Sequence, residues 1–178
     1  MPVPAFMISI LARQRLALGE GFFQKYPGSW LVWEPGPWRP VTDARGADVR
    51  TTCPPGELLA SRPPGEDAIC FELPHLPGAA PLTGGRGTGS DISINDLTVS
   101  REQFELVSLG QRWHLAVSRP GVQVNSRPVE PGAVVPLASG DGLSLGDVRL
   151  TYLDVEAMAE RLQLAQPHLA RSAAPSGR

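Results

Sequence analysis

Between Ala68 and Asp154 the chain breaks into eight short segments in which apolar and polar residues alternate. They read "AICFEL", "DISIND", "QFELVS", "RWHLAV", "VQVN", "VVPLA", "GLSLGD" and "VRLTYLD", and Gly, Pro, Asn or Asp separates each from the next. An alternation of period two puts successive side chains on opposite faces of a strand, so each segment has one face to bury. Many such strands at short, regular spacing predict an antiparallel sandwich or barrel. The same alternation assigns Ile92, Ile94, Phe104, Leu106, Trp113, Leu115, Val122, Val124, Leu143, Leu145, Val148, Leu150 and Tyr152 to the buried faces. Nineteen glycines and nineteen prolines among 178 residues fit a turn-rich β protein and stay below the level typical of disorder.

The ends of the chain carry a different texture. Phe6, Ile10, Leu11, Leu18, Phe22 and Phe23 recur at roughly helical intervals, and Pro27-Gly28 stops them. This predicts a helix or helix pair, weakened in its middle by Gly19 and Gly21. "SWLVWE" reads as a short strand, and residues 40–67, with two Pro-Pro-Gly breakers, as a loop-rich connector holding one short element at Glu57–Ser61. Asp154 stands at a helix N-cap ahead of Val155, Met158, Ala159 and Leu162, and Pro167 is expected to end or kink that helix before a frayed tail. The expected organisation is an N-terminal region over 1–66 packing on the sandwich, a sandwich over 67–153, and a C-terminal helix and tail over 154–178. The aromatic residues Phe6, Phe22, Phe23, Tyr26, Trp30, Trp33 and Trp38 are expected to make that N-terminal packing.

The net charge is -2 and Lys25 is the only lysine, so nothing in the charge pattern suits a nucleic-acid backbone or a membrane surface. The N-terminal apolar run is broken by Arg13 and Arg15 well short of a span. Cys53 and Cys70 lack CxxC spacing, and His75, His114 and His168 are far apart, so no metal or other cofactor is expected. A cytoplasmic protein with reduced thiols is the expectation.

One stretch, "LTGGRGTGSDISINDLTVSREQF", admits several chemistries. Gly84 to Gly89 has the glycine spacing of a P-loop, but Ser90 and Asp91 stand where Lys and Ser/Thr belong, and a carboxylate there repels phosphate. A dinucleotide site fails as well, because a strand rather than a helix follows the glycines. Ser100 lacks a GxSxG setting, His114 sits inside an alternating strand, and Asp91 and Asp96 suit turn and cap roles. No enzyme is expected.

A Gly-Arg at a strand end, then Asp-Ile with an alternating strand, then Val-Ser-Arg-x-x-Phe resembles the forkhead-associated (FHA) domain, a reader of phosphothreonine peptides. "RWHLAV", "VQVNSRPV" and "LASGDGLSLGDVRLTYL" are similar to the family's Trp strand, its Val-Asn-Gly hairpin and its terminal strands, and the likeness covers about residues 67–153. The resemblance implies an FHA-like sandwich, with phosphate gripped by Arg86 and Ser100 and with Arg101 beside them. Gly85, Gly121 and Asn125 are expected to shape the supporting loops.

Two departures from the pattern matter. Gln103 occupies the place where relatives carry a loop-bracing histidine, and its amide both donates and accepts. Pro120 falls at or near the place of an asparagine that clamps the peptide backbone, and it can supply no amide. Arg119 is then the candidate for a second positive charge. The resemblance therefore implies a phosphothreonine-dependent interaction module whose partner is a phosphorylated protein or a Ser/Thr kinase. The alternative is a degenerate FHA-like scaffold that assembles with partners independently of phosphorylation, in a signalling or secretion complex.

Overall fold

The computed structural model describes residues 2–36, 67–74 and 78–172, the last eight by their backbone alone. Residues 40–66 of the expected connector, with Glu57–Ser61, Trp38, Cys53 and His75, lie outside the described residues.

Among the described residues, twelve strands form two sheets packed face to face. β1 (Ala5–Met7), β2 (Trp30–Trp33), β3 (Ile69–Glu72), β8 (Val122–Val124), β9 (Arg127–Val129), β11 (Gly142–Leu145) and β12 (Val148–Leu153) make one sheet, in the order β1-β3-β2-β12-β11-β8-β9. β4 (Leu82–Gly85), β5 (Ile92–Ser93), β6 (Phe104–Leu109), β7 (Arg112–Val117) and β10 (Val134–Pro136) make the other, in the order β10-β7-β6-β4-β5. All pairings are antiparallel except β4 with β5, where Gly84 and Gly85 run parallel to Ile92 and Ser93.

Every residue that alternation placed in the core is buried, and all of them join one cluster between the sheets. Leu31, Trp33, Phe71 and Val99 are among the other members of that cluster. Trp30 and Val32, of opposite parity on β2, face a second cluster on the outer side of the seven-stranded sheet. There the helices α1 (Ile8–Leu18), α2 (Gly21–Lys25) and α3 (Val155–Ser172) contribute Leu11, Phe22, Met158 and Leu162. All four residues of β2 are therefore buried, since both of its faces are covered.

Phe6, Phe22, Phe23, Tyr26 and Trp30 pack in this outer layer, whereas Trp33 lies in the inner cluster. Tyr26 lies 4.9 Å from Phe22 and 5.7 Å from Trp30, and Phe6 meets Tyr26 edge-on at 5.6 Å. Such tilted and T-shaped pairs suit the aromatic quadrupole. Two carboxylates fix the helix starts. Asp154 Oδ1 accepts the Ala157 N–H at 2.8 Å, a side-chain N-cap for α3. At α1, whose N-cap position is Met7, the distant Asp67 accepts the Ser9 N–H at 3.1 Å and the Ser9 hydroxyl at 2.5 Å.

Pro167 does not end α3, which runs on to Ser172. A proline removes one backbone donor, and the flanking turns carry the helix past it. β1, β4 and β9 are strands that the alternating segments do not include. "LTGG" is too rich in glycine to look like a strand, yet Leu82, Thr83 and Gly84 pair with Leu106, Glu105 and Phe104.

Candidate functional site

Three loops meet where β4 ends, before β6 begins, and between β7 and β8. Their backbones are held together tightly. The Arg86 N–H donates to the Ser100 carbonyl at 2.8 Å, and the Gly87 N–H donates to the Arg101 carbonyl at 2.9 Å. Glycine is required for that approach. A Cβ on Gly85 would lie 2.3 Å from the Arg101 carbonyl oxygen, and one on Gly87 would lie 2.9 Å from the same atom. Ser90, almost fully buried, donates its hydroxyl to that oxygen at 3.2 Å.

Gln103 ties the loops to one another. Only 3% exposed, it accepts the Ser100 N–H on Oε1 at 2.8 Å and donates Nε2 to the carbonyls of Arg119 at 3.1 Å and Pro120 at 3.0 Å. Its backbone N–H donates to Gly84, and its carbonyl accepts from Ser118 and Arg119. A buried amide is stable only with its hydrogen bonds made, and here both ends of the side chain are used. Pro120, which has no donor, contributes its carbonyl instead.

This frame leaves two guanidinium groups beside an open cleft of about 530 Å³, lined by Thr83, Arg86, Gly87, Thr88, Gly89, Ser90, Arg101 and Glu102. Arg86 is half-buried, and its Nε donates to the Val99 carbonyl at 3.1 Å. That bond fixes the plane of the guanidinium, and its two terminal nitrogens make no hydrogen bond to the described residues. Arg101 is exposed. A planar donor fork held from behind, with a second cation lining the same cleft, suits the oxygens of a phosphate monoester.

Of the residues singled out from the sequence, Arg86 and Arg101 line the cleft, whereas Ser100, Gly85 and Gln103 support it through hydrogen bonds and backbone packing and are not among its lining residues, Ser100 joining by its backbone alone. Arg119 joins them through its backbone, while its exposed side chain is not among those lining the cleft. Gly121, at φ +90°, turns the chain into β8. Asn125 lies elsewhere. It forms the β8–β9 turn at φ +50°, donates Nδ2 to Asp141 at 2.8 Å and accepts the Gly142 N–H at 2.9 Å, beside a separate hollow of about 470 Å³. Thr88, Ser90 and Glu102 line the cleft without having been nominated as site residues; their only signal in the sequence is nearness to Arg86 and Arg101.

Asp91 closes the base of the Arg86 loop by accepting the N–H and the hydroxyl of Thr83, each at 3.0 Å. The backbone hydrogen bond from Thr83, above all, holds the Asp91 carboxyl below its ordinary range. Burial pushes the Cys70 thiol far above its usual value, so this free cysteine is an inert core residue. Among the described residues no group of three or more His, Cys, Asp or Glu is placed to hold a metal ion, and no helix is long and apolar enough to cross a membrane.

The chain is similar in part to known proteins. No curated protein matches the chain. Among solved structures, the FHA domain of a Chlamydia trachomatis protein is 14% identical, with a TM-score of 0.46 over 71% of this chain and 98% of that one. The FHA domain of an Arabidopsis thaliana protein is 21% identical, with a TM-score of 0.46 over 72% and 86%. Mycobacterium tuberculosis EmbR, solved in complex with a low-affinity phosphopeptide, is 27% identical, with a TM-score of 0.39 over 42% and 20%. The family model described as the FHA domain matches residues 82–146, which span both the Arg86 loop and the Ser100 loop. Residues 82–146 are thus similar to the FHA domain family.

Proposed function

We propose that the chain is a phosphothreonine-dependent protein-interaction module of Ser/Thr kinase signalling, with a phosphorylated protein or the kinase itself as partner. The family match supports the broader reading of a phosphopeptide-binding interaction module. The observation that carries the proposal is the Arg86 guanidinium, braced through Nε on Val99 and open at its terminal nitrogens to the cleft it shares with Arg101. In this reading Arg86 grips the phosphate oxygens, the Ser100 hydroxyl and Arg101 complete the contact, and Arg119 adds positive charge from outside the cleft lining.

The test is fluorescence anisotropy of the full chain with a phosphothreonine peptide library and its unphosphorylated counterpart. Preferential binding of the phosphorylated library is expected. Arg86→Ala should weaken it about tenfold or more, since a hydrogen bond to a charged group is worth roughly 1.5–3 kcal/mol. Ser100→Ala should weaken it less, and Arg119→Ala least. Equal binding of both libraries would sink the proposal.

A second reading rests on Pro120, which offers the ligand neither a side-chain amide nor a backbone N–H. It makes the domain an assembly scaffold that binds partners whether or not they are phosphorylated. Co-purification of partners that survives both phosphatase treatment and Arg86→Ala would favour it.

A further inference from the structure

Three of the residues that line the Arg86 cleft carry charge, and one of them is of the opposite sign. Arg86 and Arg101 are cationic; Glu102, next in sequence to Arg101, is an exposed carboxylate with no hydrogen bond or ion pair among the described residues. The carbonyl of the preceding residue, Arg101, accepts the Gly87 N–H and the Ser90 hydroxyl, so the backbone next to Glu102 is held against the Arg86 loop.

A phosphate dianion bound by the two arginines uses their charge and leaves the carboxylate facing a second anion within the same cleft. That repulsion is relieved by a cation between or beside them and worsened by another carboxylate. We infer that Glu102 is a specificity residue that selects ligands with a lysine or arginine close to the phosphorylated residue and rejects those with aspartate or glutamate there. The inference rests on the phosphopeptide reading given above, and it names the peptide class that such a site takes.

The size of the effect follows from exposure. An ion pair of this kind in an open cleft is partly screened, so a preference of about two- to fivefold per flanking charge is expected at low ionic strength, shrinking as salt is added. The experiment is a positional scan by anisotropy: phosphothreonine peptides, identical except for Lys or Glu at one flanking position at a time, titrated against the full chain, Glu102→Gln and Glu102→Lys. At one or more positions the wild-type chain should prefer Lys, Glu102→Gln should remove the preference, and Glu102→Lys should reverse it. Phosphate-dependent binding by the wild-type chain with no charge preference, or with a preference that Glu102→Gln retains, overturns this inference alone. Absence of phosphate-dependent binding overturns the phosphopeptide reading and this inference with it.

Discussion

The side-chain carbonyl of Gln103 accepts the backbone N–H of Ser100 at 2.8 Å, and the nitrogen of the same amide holds the loop that carries Arg119 and Pro120. One buried side chain thus sets the relative position of two loops of the site. Gln103→Ala should leave the Ser100 donor and two carbonyls without their partners. A loss of about 1–3 kcal/mol is expected from each buried group that water does not reach. Urea denaturation should therefore move to a clearly lower midpoint, together with weaker phosphopeptide binding. Gln103→Glu, which cannot donate when ionised, should be no better than alanine.

The glycines of the Arg86 loop differ in what surrounds them, and substitutions should rank accordingly. Gly85→Ala drives a methyl to 2.3 Å from a backbone oxygen, which only a shift of the loop relieves. Gly87→Ala meets the same oxygen at 2.9 Å, and Gly89→Ala meets nothing within 4 Å. Thermal midpoints should fall in the order Gly89, Gly87, Gly85, with Gly89→Ala close to wild type. A Gly85→Ala protein as stable as wild type would contradict the packing described.

Strand β2 lies between β3 and β12, although it comes from the N-terminal region. A fragment of residues 67–153 would strip β12 of one neighbour and expose the outer faces of Cys70 and Leu153. Such an open, apolar edge is prone to association. The fragment is expected to aggregate or to lack a cooperative unfolding transition, and size-exclusion chromatography with thermal melting checks this.

The Asp91–Thr83 clasp gives a pH dependence whose sign is fixed. The folded carboxyl titrates below its unfolded value, so its contribution to stability is present above an unfolded value of about 4 and is lost as pH falls through the folded one. Asp91→Asn should be less stable than wild type near neutrality, and the difference should narrow below about pH 4. Denaturant midpoints of the two proteins across that range supply the measurement.

The sandwich was legible because period-two alternation reports one buried face directly; Ile92, Phe104, Trp113, Leu143 and Leu150 all lie where it puts them. Leu82–Gly85 was not, because nothing local favours a strand in "LTGG". Its pairing with β6 does, along with the Phe104 ring, which lies so near Gly84 that a Cβ there would sit 2.2 Å from it. Nor could β2 reveal by itself why all four of its residues are apolar, since its second face is covered by helices from both ends of the chain.

The candidate site divides in the same way. Residue types and order in "GGRG" and "VSRE" are local properties, and they suffice to nominate Arg86, Ser100 and Arg101. Which of the nominated charges share a cleft is a matter of long-range contact. Hydrogen bonds between the two loops bring Arg86 and Arg101 to one wall and add Glu102, while Gln103 holds the Arg119 loop by its backbone and leaves that side chain outside. Sequence spacing carries no information on those distances, because the loops are set side by side only by the pairing of β4 with β5 and β6 and by the hydrogen bonds of the buried Gln103.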